Sequence, residues 1–184
     1  MSEKIRGAII GGSMSGKTMR AIGYSRGLWR ARGLRSIVFD PWLAENDWGA
    51  QAWVTKNFEE WKRAVLGTKG CAVFWDEATT NGGDDENNAG LATEIRHLHD
   101  VMFMMGHSHS SIARVMRVNL THLDLALSDD VDAMLWARTM KDPELKRAAL
   151  EEVLPQYTWM QKAPYKPARI RSEGLAEIRR GILP

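Results

Sequence analysis

Short apolar runs of four to six residues alternate along the chain with longer stretches in which apolar residues recur at helical spacing. That alternation predicts a parallel sheet buried under helices on both faces, because a strand covered twice has no polar side to show. GAII (7–10) reads as the first strand, and residues 17–32 as a helix ending near Gly33. SIVFD (36–40) reads as the second strand, stopped by Pro41, and NFEEWKRAVLG (57–67) as a helix with glycine at its end. CAVFWDEA (71–78) is the third strand, almost wholly apolar until its two carboxylates. LATEIRHL (91–98) is helical, VMFMMGHS (101–108) the fourth strand, SIARVMRVNL (111–120) a helix and LDLALS (123–128) the fifth strand. DPELKRAALEEVL (142–154) is the clearest later helix, with Asp142 as N-cap, Pro143 at the first helical position and acids in the first turn.

Between these elements, NGGDDENNAG (81–90) has the composition of a surface loop. The tail KAPYKPARIRSEGLAEIRRGILP is basic and punctuated by proline, and is expected to wrap the outside or reach a neighbour. No internal repeat and no interdomain linker is visible. One domain over residues 1–184 is therefore expected, with a basic extension from about residue 155.

A composition of 44% hydrophobic and 26% charged residues argues against disorder. No apolar run approaches the roughly 20 residues that cross a bilayer, and MSEKIRG leads into a strand rather than a signal peptide, so no stable membrane insertion is expected. The single cysteine, Cys71, has no internal partner for a disulfide. The net charge of +2 conceals an asymmetry. Residues 4–35 carry Lys4, Arg6, Lys17, Arg20, Arg26, Arg30, Arg32 and Arg35 with no acid among them, which fits either a solvated helix face or a surface that meets a polyanion. The eight tryptophans are expected mostly in the core or at an interface.

The candidate chemistry lies where the first strand meets its helix. Gly11-Gly12-Ser13-Met14-Ser15-Gly16-Lys17-Thr18 satisfies the phosphate-binding pattern of glycine, any four residues, glycine, lysine and serine or threonine. Glycines let the backbone curl until successive N–H groups point at phosphate oxygens, where a side chain would obstruct. The helix starting at Lys17 adds the positive end of its dipole. Lys17 is expected on the β and γ phosphates, and the Thr18 hydroxyl on a magnesium ion. A chance match in a chain of this length is on the order of 1% from average residue frequencies. The expected class is thus α/β, a P-loop NTPase of RecA-like (ASCE) type, a three-layer sandwich about a mainly parallel central sheet, with ATP and Mg2+ as ligands.

The second half of such a site is an acid at the carboxyl end of another strand, and CAVFWDEA supplies it. Asp76 would hold the magnesium through water, and Glu77 would orient and deprotonate an attacking water. That second carboxylate favours ATP hydrolysis coupled to motion over a small-molecule phosphotransferase, which needs its acceptor's hydroxyl near the γ-phosphate. The guanine-reading Asn-Lys-x-Asp of GTPases is absent.

The stretch RHLHDVMFMMGHSHSSIARVMRVN (96–119) narrows the class. An Arg-His pair before a strand, a polar residue at its end, a serine-containing turn and an arginine about ten residues on resemble the FtsK/HerA group of DNA-pumping ATPases. Within it the compact genome-packaging ATPases of tailless, membrane-containing viruses are most similar. The resemblance spans roughly residues 5 to 130. It implies that His107, where the family usually has glutamine, senses the γ-phosphate, and that an arginine, Arg117 with Arg114 and Arg96 as rivals, reaches a neighbouring subunit's site. The pairs His97/His99 and His107/His109 also admit reading as zinc ligands, but flanking a strand at its two ends disfavours this.

What the resemblance further implies is a homo-oligomeric ring, pentamer or hexamer, that drives double-stranded DNA into a preformed viral capsid through its packaging vertex. The expected location is the host cytoplasm, with association with the virion as a second location. The alternatives are a filamentous-phage assembly ATPase, a small-molecule kinase and a nucleotide-dependent scaffold.

Overall fold

β1 (Ile5–Ile10) lies deep within one eight-stranded sheet whose order is β3-β2-β4-β5-β1-β6-β7-β8. The computed structural model describes residues 4–42, 46–78, 89–126, 130–145, 159–163, 168–172 and 175–184. β2 (Ser36–Phe39), β3 (Ala52–Thr55), β4 (Ala72–Trp75), β5 (Val101–Gly106) and β6 (His122–Leu125) run parallel with β1. β7 (Trp159–Lys162) and β8 (Arg169–Arg171) add an antiparallel edge.

Each central strand sends alternate side chains to two cores, as a period of two requires. Ile5, Ile9, Phe74, Phe103 and Met105 pack under α1 (Lys17–Arg32) and the C-terminal helix (Leu175–Arg180). Ala8, Ile10, Val73, Trp75, Met102 and Met104 pack on the other face. There they meet Trp61 of α2 (Phe58–Leu66), Ile95 of α3 (Ala89–Leu98), Met116 of α4 (Arg114–Arg117) and Trp136 of α5 (Asp130–Met140). These are the three layers expected. Trp48, Trp61, Trp75, Trp136 and Trp159 are buried, whereas Trp29, Trp42 and Trp53 are exposed.

The helix ends follow local chemistry. Gly33 closes α1 in the left-handed region with φ 67°, and the Asn57 side chain caps α2 by accepting from the Glu60 N–H at 3.1 Å. The Arg6 guanidinium caps the other end of a helix. It donates to the carbonyls of Arg96, His99 and Asp100, which close α3, and to that of Ile5.

Four expectations are corrected. The helix expected over 111–120 is a 3-10 turn (His109–Ser111) followed by the single turn of α4. Ile112 and Ala113 are extended between them, because both must bury against the sheet. β3 was not anticipated, since a four-residue edge strand needs little apolar pattern. Nor was α5, although Ala133, Trp136 and Ala137 face the core at helical spacing. The tail does not simply wrap the outside: β7 and β8 extend the sheet, and the C-terminal helix docks on α1. That docking depends on Gly27, where an added Cβ would lie 1.9 Å from the Ile182 carbonyl oxygen. Of the helix expected over 142–154, residues 143–145 are helical behind Asp142, whose Oδ1 accepts from the Glu144 N–H at 2.9 Å; residues 146–154, residues 127–128 of the fifth expected strand and residues 81–88 of the acidic loop lie outside the described residues.

Candidate active site

The carboxyl ends of β1, β4 and β5 meet at one edge, and β5 separates the other two. The P-loop therefore leaves one side of β5 and the acidic turn the other, with His107 directly after the strand between them. The Gly11 N–H donates to the Gly106 carbonyl at 3.2 Å, which fixes the loop's first residue to the end of β5. An added Cβ at Gly11 would sit 2.7 Å from both Ala126 Cβ and Ser15 Oγ, so the loop's own packing excludes it. At Gly12 the same atom would meet nothing within 4 Å, so that glycine faces open space. Ser13 and Met14 form the exposed tip, and Met14 has φ 61°. Gly16 has φ 90° and brings no side-chain cap to α1, whose first turn carries no acid. The N–H groups there suit an anion.

Lys17 is 7% exposed, and its ammonium donates to the carbonyls of Gly11 and Gly12 at 3.0 and 3.1 Å. Burial lowers its pKa, while the charges of Glu77 and Asp76 act the other way. The ammonium thus lies inside the loop's curl with both acids within electrostatic reach, where it would exchange two carbonyl partners for phosphate oxygens. Among the described residues the buried Ser15 hydroxyl has no hydrogen-bond partner, which leaves the loop a donor unspent.

Thr18 and Asp76, predicted from separate motifs, are brought together: the Thr18 hydroxyl donates to Asp76 Oδ2 at 2.9 Å. Burial pushes the Asp76 carboxyl up to about 6, against the lowering effect of the Thr18 and Glu77 N–H hydrogen bonds. Two hard oxygens converging on one buried point are the donor type that Mg2+ takes, and a divalent ion there would favour the ionised carboxylate, so these residues fit the ion. Its contribution when bound is to neutralise charge on the β and γ phosphates.

Glu77 adopts φ 49°, a left-handed conformation that costs a non-glycine residue about 1 kcal/mol or more. The turn is held there by the Glu77 N–H on Asp76 Oδ1 at 2.8 Å, Asp76 N–H on the Phe39 carbonyl at 3.0 Å and Ala78 N–H on the Met105 carbonyl at 2.9 Å. The result aims the Glu77 carboxylate at His107, whose Nε2 is 3.0 Å from Oε2. His107 is in turn held by Ser111, whose hydroxyl accepts from the N–H groups of His107 and Ser108 at 3.1 and 2.9 Å.

Ser111 had no role in the sequence analysis, though the serine-rich turn was its signal. Asp40 was also passed over. At the end of β2 its buried carboxylate accepts from the Trp42 N–H, Asn46 and the Trp48 indole at 2.8, 2.9 and 2.7 Å, and its charge contributes to the rise at Asp76.

Arg117 folds onto its own turn, donating to the carbonyls of His109 at 3.0 Å and Ile112. Arg114 is exposed, and Arg96 is half-buried with its main-chain carbonyl on Arg6. The histidine pairs do not converge, and no cluster suited to a metal occurs among the described residues. His99 accepts from the Cys71 N–H at 3.1 Å through Nδ1, which leaves its Nε2–H to donate to the Val65 carbonyl at 2.9 Å.

His109 packs edge-on against Trp136, with ring centroids 4.8 Å apart, and bonds Thr139. Burial first, then the charge of Arg117, lower its pKa from 6.5 to about 4. The folded protein therefore holds His109 neutral, a contribution fully present above pH 6.5 and lost as pH falls toward 4. Thermal melts of the parent should fall more steeply over that window than those of His109→Gln. Parallel curves would exclude His109 as a source of acid sensitivity.

No protein-family model matches the chain, and no curated protein matches its sequence. The fold does have likenesses among solved structures. The genome packaging NTPase B204 from Sulfolobus turreted icosahedral virus 2, in complex with AMPPCP, superposes with a TM-score of 0.72 at 13% identity, covering 94% of this chain and 99% of that one. B204, the DNA-packaging ATPase from Sulfolobus turreted icosahedral virus, gives 0.70 at 16% identity, covering 95% and 100%. The cytoplasmic domain of the Thermomonospora curvata type VII secretion ATPase EccC gives 0.56 at 13% identity, covering 90% of this chain and 25% of that one. The fold is that of P-loop ATPases, with an eight-stranded, mostly parallel sheet.

Proposed function

We propose that this chain is an ATP-hydrolysing motor that translocates double-stranded DNA, in viral genome packaging into a preformed capsid. The observation that carries the proposal is the convergence of Lys17, Thr18, Asp76, Glu77 and His107 on one sheet edge, in a fold shared over almost its whole length with B204. In this reading the loop N–H groups of residues 11–16 and the Lys17 ammonium grip the triphosphate. Thr18 and Asp76 would hold Mg2+, Asp76 through water, and the ion would supply positive charge to the phosphates.

Glu77 takes a proton from water as the water oxygen bonds to the γ-phosphorus and the bond from that phosphorus to the ADP oxygen breaks. His107 positions the Glu77 carboxylate through Nε2 and lies where the γ-phosphate would compete for that contact. An arginine from a neighbouring subunit, Arg117 or the more exposed Arg114, stabilises charge developing on the transferred group. For Arg117 that role requires release of the His109 and Ile112 carbonyls. Such a contribution in trans needs a neighbouring subunit, which a homo-oligomeric ring would supply, with duplex and capsid vertex as its partners. The host cytoplasm is the compartment where packaging would occur.

ATP turnover measured with and without double-stranded DNA tests the proposal. Stimulation by duplex is the expected result. Consumption of ATP only when a small hydroxyl-bearing acceptor is added would replace the motor by a phosphotransferase.

A further inference from the structure

The uneven charge in the first third of the chain is not used by the nucleotide site beyond Lys17. Lys4, Arg6, Arg20 and Arg26 are committed to Asp100, the end of α3, Asp124 and Asp47, which leaves Arg30, Arg32 and Arg35. α1 runs 16 residues from the P-loop, about 24 Å at 1.5 Å per residue, so its far end cannot reach a nucleotide bound at its start. That far end exposes Trp29, Arg30 and Arg32, and the loop beyond it exposes Arg35. Against residues 23–27, about one turn before that end, lies the last turn of the C-terminal helix, with Arg179 and Arg180 exposed. The juxtaposition is fixed by backbone contacts. The Arg26 guanidinium donates to the Arg179 carbonyl at 3.1 Å, the Ile182 N–H donates to the Gly23 carbonyl at 2.9 Å, and Gly27 leaves no room for a side chain beneath Ile182.

Arg30 lies one turn past Arg26 and Gly27, on the side of α1 that meets the C-terminal helix, so arginines from two distant parts of the sequence border one another there, while Arg32 and Arg35 carry the positive charge around the end of α1. None of Arg30, Arg32, Arg35, Arg179 and Arg180 makes an ion pair among the described residues. Asp47 is taken by Arg26 at 3.0 Å. Arg35 reaches over the Trp29 ring, 6.0 Å from its centroid, which holds a guanidinium out on a rigid aromatic support.

We infer that the face formed by the far end of α1 and the C-terminal helix is a docking surface for the phosphodiester backbone of double-stranded DNA. The inference rests on the motor reading above and adds to it a duplex-binding surface remote from ATP. Guanidinium groups spread over a face suit repeated phosphates, each able to take a forked pair of hydrogen bonds. Backbone contact carries no sequence information, as a translocating motor requires. An anionic bilayer is the competing polyanion, but lipid anchoring needs a broad apolar face, and Trp29 with Leu183 is too little of one.

The test compares the parent with Arg30→Gln/Arg35→Gln/Arg180→Gln, in which all three positions are exposed and outside the catalytic edge. Binding to a fluorescent duplex is measured across salt concentrations, basal ATP turnover without DNA serves as the control for folding, and vesicles containing phosphatidylglycerol test the rival. The expected result is unchanged basal turnover, duplex affinity lowered about 10²-fold at 0.1 M salt and a salt slope shallower by about 3. The matching triple lysine variant should retain most of the affinity, since point charges suffice for phosphate. Equal duplex binding by parent and triple glutamine variant overturns the surface while leaving the motor reading intact. Binding of the parent to vesicles through these arginines, with none to duplex, also overturns it. A parent that hydrolyses ATP yet neither binds nor responds to any duplex removes the motor reading itself.

Discussion

Glu77→Gln should bind ATP as tightly as the parent and hydrolyse it about 10² to 10⁴ times more slowly. The substitution keeps size, the left-handed backbone and an oxygen for His107, so the positioning contact at 3.0 Å survives. What it removes is the capacity to accept a proton. Because Lys17, Ser15 and the loop N–H groups lie on the other side of β5, the grip on the triphosphate is untouched. Phosphate release in a single turnover, alongside equilibrium binding of ATP, separates the two effects. A variant that turns over at the parental rate would remove Glu77 as the base. A variant that fails to bind would mean that the carboxylate holds the metal rather than the water.

Asp124→Ala should destabilise the protein by about 3–5 kcal/mol, the largest effect expected from a residue outside the site. Asp124 lies in β6, 3% exposed, and accepts from Arg20 Nε at 2.7 Å and from the Tyr24 hydroxyl. Arg20 is 1% exposed and also lies over the rings of Tyr24 and Trp159, 5.3 and 5.2 Å from their centroids. The network continues through Gln161, which donates to Tyr24 at 3.0 Å and accepts from Arg171 at 2.9 Å. Removing the carboxylate takes the counter-charge at 2.7 Å away from a guanidinium that is 1% exposed.

The cost belongs to the orphaned charge more than to the pair, so Arg20→Met/Asp124→Leu should recover most of the loss. Urea unfolding of the two variants decides the matter. If the single variant unfolds at the parental midpoint, water reaches Arg20 and the network is not a buried one. Since Arg20 is three residues past Lys17, the network also ties the start of α1 to the antiparallel edge of the sheet.

The sequence carried most of what positions the site. The phosphate loop was legible because its glycines answer to backbone geometry that few other residues can adopt, and the Asp76-Glu77 pair because carboxylates ending an apolar run stand out. The link between Thr18 and Asp76 followed from the two motifs together. The expectation for His107 was of a γ-phosphate sensor, and its contact with Glu77 could not be read from a position in the chain. That contact depends on how β5 is inserted between β1 and β4, a matter of strand order rather than of local pattern.

The stretch after β5 misled for a related reason. SIARVMRVNL has helical periodicity, yet Ile112 and Ala113 are drawn down onto the sheet and Ser111 is committed to the His107 turn, so tertiary burial overrides propensity. In the tail, prolines and charge suggested an exterior strap. The fate of Trp159 and Ile178 in the core was recorded only as scattered apolar residues among basic ones.

Strand β5 is laced to β1 along Val101–Gly106 and to β4 along Val101–Met104, so neither neighbour can slide against it without breaking a ladder. The catalytic edge is therefore mechanically a stiff plate. In the proposed motor, movement would therefore leave this edge through tilting of the plate as a whole, not through shear within it.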